Sequence, residues 1–243
     1  MIKINKLNKM IGNKQILYDV NLDVKKGDIF GFLGPNKAGK TTTMKILAGI
    51  LLPTSGDVFL DGKKMPDARQ EVIDKVCFIP DYPLLYDKLT GREYLNFIYS
   101  IFKLEENKRS LMIDYYLRKF DLNDQANDLV EDYSLGMKQK LSFAAAFIRN
   151  PQVLLVDEPM NGLDPRASRQ IQNMFVDFAS AGGTILLSTH ILDIAERICN
   201  KISVINHGRT VATGSMSELR TMMKIESGNL IDIFLAVTDA SND

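Results

Sequence analysis

The chain has 243 residues, 30 Lys+Arg balanced by 30 Asp+Glu, 45% hydrophobic and 25% charged residues. This is the balance of an ordinary globular protein with room for a sizeable core, and without a basic surplus it speaks against a general nucleic-acid binder. The longest apolar stretches, 46–52 and 143–148, fall short of the roughly 18 residues a membrane span needs; Cys77 and Cys199 are too few for a disulfide scaffold or zinc site and fit a reducing cytosol. The N-terminal 14 residues have four lysines but no apolar h-region, so no signal peptide is expected.

In chain order, Val20, Leu22 and Val24 alternate with polar neighbours as a half-buried strand does. Short apolar runs at 29–33, 76–79, 153–156 and 185–187 predict buried strands. Between 81 and 150 the strand signals fade. Tyr94, Ile98 and Ile101 share a helix face there, and Leu111 and Tyr115 mark another helix. Helical spacing returns in Ile171, Met174, Phe175 and Phe178, and in Ile191, Ile194, Ala195 and Ile198. Residues 203–214 read as two short strands about a turn at His207-Gly208. Strands alternating with helices predict an α/β fold with a mostly parallel core sheet. One domain, 1–243, is expected: a core of 1–80 and 151–225, an inserted helical lobe at 81–150, and a C-terminal tail at 226–243. The lysine-rich first 14 residues and the last 18, with four acids and no base, read as two solvated ends.

Gly34-Pro35-Asn36-Lys37-Ala38-Gly39-Lys40-Thr41 fits G-x-x-x-x-G-K-[ST], between the 29–33 strand and a helical stretch expected over 42–51. Loop N–H groups there make an anion-binding nest, and the helix N-terminus adds its positive dipole end. Lys40 would reach the β- and γ-phosphates, Thr41 would offer its hydroxyl to Mg²⁺, and Thr42 would close the loop.

The 153–156 strand runs into Asp157, Glu158 and Pro159. Carboxylates at the C-terminal end of such a strand emerge in the ligand crevice. Asp157 suits a water-mediated hold on Mg²⁺, and Glu158 suits orienting or deprotonating the water that attacks a γ-phosphate. His190 ends the next strand, where an imidazole can hydrogen-bond that phosphate; taken alone, a histidine at a strand end is more often structural.

Five ordered motifs together resemble the ATP-binding subunit of an ABC transporter, over nearly the whole chain. They are the 34–42 loop, Tyr133-Ser134-Leu135-Gly136-Met137-Lys138-Gln139 beyond the helical lobe, the 153–159 strand, Asn161-Gly162-Leu163-Asp164-Pro165, and Ser188-Thr189-His190. The 133–139 heptapeptide resembles the family signature in the variant of drug- and bacitracin-resistance exporters. The resemblance implies a P-loop NTPase fold with an N-terminal antiparallel β part, and ATP with Mg²⁺ as ligands. It implies that Ser134 and Gly136 reach the γ-phosphate held by a second subunit, that Asp164 lies at the same interface, and that His190 contacts the γ-phosphate. Two ATP would be sandwiched in a dimer, homomeric or heteromeric. A separate integral membrane permease would be the partner, holding the chain on the cytoplasmic face of the membrane and setting what is moved, with the signature variant implying export. The alternative is a soluble ABC-type ATPase of assembly or regulation.

Some residues depart from the family pattern. Lys37 stands where glycine is usual, at a cost of about 1–2 kcal/mol if the backbone is left-handed, and is expected to point to solvent. Ile11 falls near where an aromatic residue commonly stacks on adenine. Asp81 replaces a glutamine that contacts Mg²⁺, and is either a further metal candidate or a solvated turn residue. Leu135 and Met137 replace the more usual Gly and Gln of the signature, so only Ser134 and Gly136 carry over. Tyr82, Leu84, Leu85 and Tyr86 either face the transporter's coupling helix or pack the helical lobe.

Overall fold

A computed structural model describes residues 1–225 and 228–240. The strands β1 (Ile2–Ile11), β2 (Lys14–Val24), β4 (Ser55–Leu60) and β5 (Lys63–Met65) form an antiparallel sheet, ordered β2-β1-β4-β5. Five others, β3 (Ile29–Leu33), β6 (Val76–Ile79), β7 (Val153–Asp157), β8 (Thr184–Thr189) and β9 (Lys201–Asn206), run parallel. With β10 (Arg209–Gly214) antiparallel at one edge, they form a sheet ordered β10-β9-β3-β8-β7-β6.

The unbroken apolar runs follow from burial of the parallel sheet on both faces. Ile29, Leu154, Val156, Ile185 and Leu187 join the core under the helical lobe. Their strand neighbours Phe30, Phe32, Val153, Leu155 and Leu186 join the core against the antiparallel sheet. Between these strands lie α1 (Lys40–Leu47), α2 (Arg69–Val72), α3 (Gly91–Ile101), α4 (Arg109–Lys119), α5 (Leu135–Ile148), α6 (Pro165–Ser180) and α7 (Leu192–Ile198); α8 (Met216–Met223) and α9 (Leu230–Ala240) follow β10.

Several elements differ from expectation for identifiable reasons. Helix α1 starts at Lys40 and ends at Leu47 rather than spanning 42–51, because Gly49 takes a left-handed φ of 68° just past the last turn. Helix α4 buries Ile113 and Leu117, while Leu111 and Tyr115 are exposed on its opposite side. In β1 the buried positions run Ile2, Ile4, Leu7. A register shift between Ile4 and Leu7, with Lys6 at φ 46°, moves the inward side by one residue.

The expected solvated ends are corrected. The first residues form β1, and Ile2 is fully buried. The expected tail contains α9, whose Leu230, Ile233 and Val237 are buried in a third core with Leu33, Ala195 and Leu219. Their spacing gives one apolar stripe that outweighs the acidic composition. Residues 226–227 and 241–243 of that expected tail lie outside the described residues.

Candidate functional site

Strand β3 delivers the chain into the phosphate loop, and close approach shapes the loop's start. A Cβ on Gly34 would collide with the Ile205 carbonyl of β9. At the other end Gly39, at φ 112°, is the N-cap of α1, whose first turn contains no acid to offset its positive end. The loop is braced from outside: Gly208 N–H donates to Ala38 O at 3.0 Å, and Tyr18 N–H donates to Gly208 O at 2.8 Å. Lys37 is exposed with φ 68°, so its Cβ sits in the left-handed region and its side chain in solvent. Lys40 is buried. Its Nζ donates to the carbonyls of Gly34 at 2.7 Å and Pro35 at 3.2 Å and lies 3.6 Å from Glu158 Oε1.

Parallel pairing of β7 and β8 places Asp157 beside Ser188. The Ser188 hydroxyl donates to Asp157 Oδ1, whereas the buried Oδ2 has no hydrogen-bond partner among the described residues. Burial pushes the Asp157 carboxyl above the usual range; the Ser188 and Thr41 hydroxyls pull it down, and the charges of Asp81 and Glu158 push it up again. Thr41 is thus close enough to act on the carboxylate while lying outside hydrogen-bond geometry with Oδ2. A buried, unpartnered carboxylate oxygen beside a hydroxyl, with exposed Asp81 nearby, suits a hard divalent cation that keeps part of its water shell.

Glu158 takes a left-handed φ of 46°, and its N–H donates to Ser188 O at 2.9 Å. Its Oε2 lies 2.8 Å from His190 Nδ1 and also accepts the His190 backbone N–H at 3.2 Å. Lys40, Glu158 and His190 therefore form one row across the C-terminal ends of β7 and β8.

A cleft of about 980 Å³ opens beside Lys40 and Glu158; His190 is not among its lining residues. Residues 35–42, Asp81 and Glu158 line it, together with Tyr18 and neighbouring residues of β2, the 206–208 turn, and Phe234 and Thr238 of α9. Ile11, 52% exposed, is not among the lining residues.

Ser134, Gly136 and Asp164 lie elsewhere, outside the cleft lining. Ser134 caps α5, accepting Met137 N–H at 3.2 Å. Asp164 caps α6, accepting Ala167 N–H at 2.9 Å; that bond is the main reason its carboxyl sits below the ordinary range. The two loops touch: a Cβ on Gly136 would lie 2.9 Å from Gly162 O. The motif containing Ser188 gave that residue no role of its own; its hydroxyl on Asp157 is signalled only by a polar residue in an apolar strand. Gln139, the last residue of the 133–139 heptapeptide, likewise carried no expected role; it is fully buried with its Nε2 donating to Pro159 O at 3.3 Å.

A parallel sheet whose strand ends present this loop, a buried Asp157 and a half-buried Glu158 defines a phosphate-loop nucleotide hydrolase. The family model described as ABC transporter matches residues 17–161. An ABC transporter ATP-binding protein of Bacillus subtilis (strain 168), YcbN, is 37% identical over 221 residues, covering 90% of this chain and 71% of that relative. A Nod factor export ATP-binding protein I of Cupriavidus metallidurans is 35% identical over 219 residues, covering 90% and 72%. A solved structure of an ATP-binding subunit of an ABC transporter superposes with TM-score 0.92 at 30% identity, covering 98% of this chain and 99% of that one. A dimeric ATP-binding cassette in a post-hydrolysis state, bound to ADP and Pi, gives TM-score 0.81 at 25% identity, covering 89% and 99%. The chain belongs to the ABC transporter family, as an ATP-binding and ATP-hydrolysing subunit. Among the described residues no helix is long and apolar enough to cross a membrane.

Proposed function

We propose that this chain is the motor subunit of an exporter, binding MgATP at the 34–42 loop and hydrolysing it with Glu158 while paired with a second ATPase subunit. The row Lys40–Glu158–His190 carries this reading. The loop N–H groups and the α1 N-terminus bind the phosphate chain, and Lys40 supplies a fixed positive charge beside it. Two of the three ammonium donors of Lys40 are taken by loop carbonyls, so its position is set before a ligand arrives. Thr41 and Asp157, with Asp81 as a further candidate, would hold Mg²⁺. The ion, when bound, neutralises charge on the β- and γ-phosphates. Glu158 accepts the proton of the attacking water, held in place by His190, which also contacts the γ-phosphate.

Ser134 and Gly136 stand at the exposed start of α5, where backbone N–H groups suit a phosphate presented by the opposite subunit. Asp164 sits beside them through the Gly136–Gly162 contact, which supports assigning both loops to one dimer interface. The exposed Tyr82, Leu84 and Tyr86, which follow Asp81, form the docking face for an integral membrane permease on a separate chain. That docking would hold the subunit at the cytoplasmic face of the membrane. The export direction is supported by the signature variant and by the Nod factor export relative.

Phosphate release from Glu158→Gln tests the reading. The variant should bind ATP, release phosphate at least about a hundredfold more slowly, and accumulate as an ATP-loaded dimer on size-exclusion chromatography. Unchanged release would overturn it.

A further inference from the structure

We propose that Phe234, on α9, is the stacking wall for the base of the bound nucleotide, a role that rests on the nucleotide reading above. A nucleoside triphosphate with its phosphates on the 34–42 loop gains from a flat apolar surface for its base, and Phe234, half-buried on α9, lines the same cleft as that loop. The helix that carries it is fixed at several points. Arg220 donates from Nε and Nη2 to Gly228 O at 3.1 and 2.7 Å, just before the helix. Glu196 Oε2 accepts Leu230 N–H at 3.0 Å, and Asn229 and Asp232 cap each other at 2.9 and 3.1 Å. With Leu230, Ile233 and Val237 buried, the helix cannot roll, and Phe234 stays half-buried at the edge of the cleft.

Two competing candidates for the same role are weaker. Ile11 lies outside the lining and has no π-face. The Tyr18 ring is covered on one face by the Arg209 guanidinium, 4.7 Å from its centroid. Stacking on a phenyl ring tolerates any base, so adenine and guanine nucleotides should bind with similar affinity.

Calorimetric titration of the full chain with MgATP, MgGTP and inorganic tripolyphosphate tests the proposal. Phe234→Ala should weaken ATP and GTP at least about fivefold while leaving tripolyphosphate unchanged. Phe234→Leu, which keeps apolar packing, should weaken the nucleotides in the same way, and Phe234→Trp should retain them. Wild-type ATP affinity in a folded Phe234→Leu variant would overturn the proposal, as would equal losses for ATP and tripolyphosphate. A loss of ATP affinity in Ile11→Ala without one in Phe234→Leu would also overturn it. If the wild-type chain bound neither ATP nor tripolyphosphate, the nucleotide reading itself would fall, and this role with it.

Discussion

Glu158 and His190 hold each other: the imidazole Nδ1 lies 2.8 Å from Oε2, and the backbone N–H of the same histidine donates to that oxygen at 3.2 Å. A carboxylate gripped twice by one residue has little freedom to move. Groups that work as a unit lose activity together, and their losses do not multiply. Glu158→Gln and His190→Ala should each slow single-turnover phosphate release at least about a hundredfold, and the double variant should be no slower than the slower single one. Losses that multiply would show that the two act independently.

Asp157 is ionised at a cost. Burial raises its folded-state pKa above the ordinary 3.8, so the folded protein is penalised whenever the carboxylate is charged. The penalty is absent below the ordinary value, grows as the pH rises toward the raised folded value, and is complete above it. Asp157→Asn keeps an acceptor for Ser188 and removes the charge. Thermal melts should show Tm raised by at least about 2 °C at pH 7, with the gain vanishing near pH 3. The same variant should require at least about tenfold more Mg²⁺ for ATP hydrolysis, because it withdraws a hard anionic ligand.

Lys37 tests how far side-chain identity matters in the phosphate loop. Replacing it with glycine relieves a left-handed residue, by about 1–2 kcal/mol, and adds unfolded-state freedom worth about 0.4–1 kcal/mol. These oppose each other, so Lys37→Gly should shift ATP affinity by less than about tenfold. Lys37→Val places a β-branched residue at φ 68°, where it is a steric outlier, and should lower both Tm and ATP affinity. Equal ATP affinity in all three proteins would show that the backbone of residue 37 does not shape the nest.

Gln139 links the start of α5 to the residue after Glu158. Its amide donates to Pro159 O, and its buried Oε1 has no partner among the described residues. Gln139→Met fills the space but releases the Pro159 carbonyl. The expected result is kcat lower by at least about threefold with KM for ATP unchanged, since misplacing a base affects the chemical step before binding. A raised KM with constant kcat would argue that Gln139 serves the phosphate loop instead.

Tyr82, Leu84 and Tyr86 offer a way to separate docking from folding. Leu84 is 79% exposed, and Tyr86 makes an edge contact with Phe97 at 5.1 Å between centroids. Leu84→Asp should leave Tm unchanged, as surface substitutions do within about 0.5 kcal/mol, while removing membrane proteins that co-purify with the chain. Tyr86→Ala, which also loses the Phe97 contact, should lower both. A destabilised Leu84→Asp would mean the segment belongs to the lobe's core.

The phosphate loop and the β7 strand were legible because their chemistry needs residue types in consecutive order. Gly34 to Thr41 and the run into Asp157-Glu158 are local patterns that no packing partner has to complete. The rest of the cleft lining was not. Tyr18, Gly208 and Phe234 are far apart in the chain, and each looks ordinary until β2, the β9–β10 turn and α9 meet. The β1 strand was hidden by its bulge at Lys6, which breaks the alternation between Ile4 and Leu7 that would have announced it. In α9 the periodicity of Leu230, Ile233 and Val237 is present in the sequence, but four acids without a base over the last 18 residues give the segment the composition of a solvated end.

The placement of Phe234 and Thr238 on the cleft has a consequence for synthesis. The phosphate loop ends at Thr42, which precedes Thr238 by nearly 200 positions. At about 5–20 residues per second, translation separates the two by roughly 10–40 s. The loop closes only when its late neighbours arrive: Gly34 packs against the Ile205 carbonyl of β9, and Gly208 N–H donates to Ala38 O. The cradle therefore forms only after residue 208 is made, shortly before α9 (Leu230–Ala240) closes over the cleft beside it. On the role proposed for Phe234, phosphate binding and base stacking become available together, late in synthesis, and the motor's first turnover waits until the fold is nearly complete.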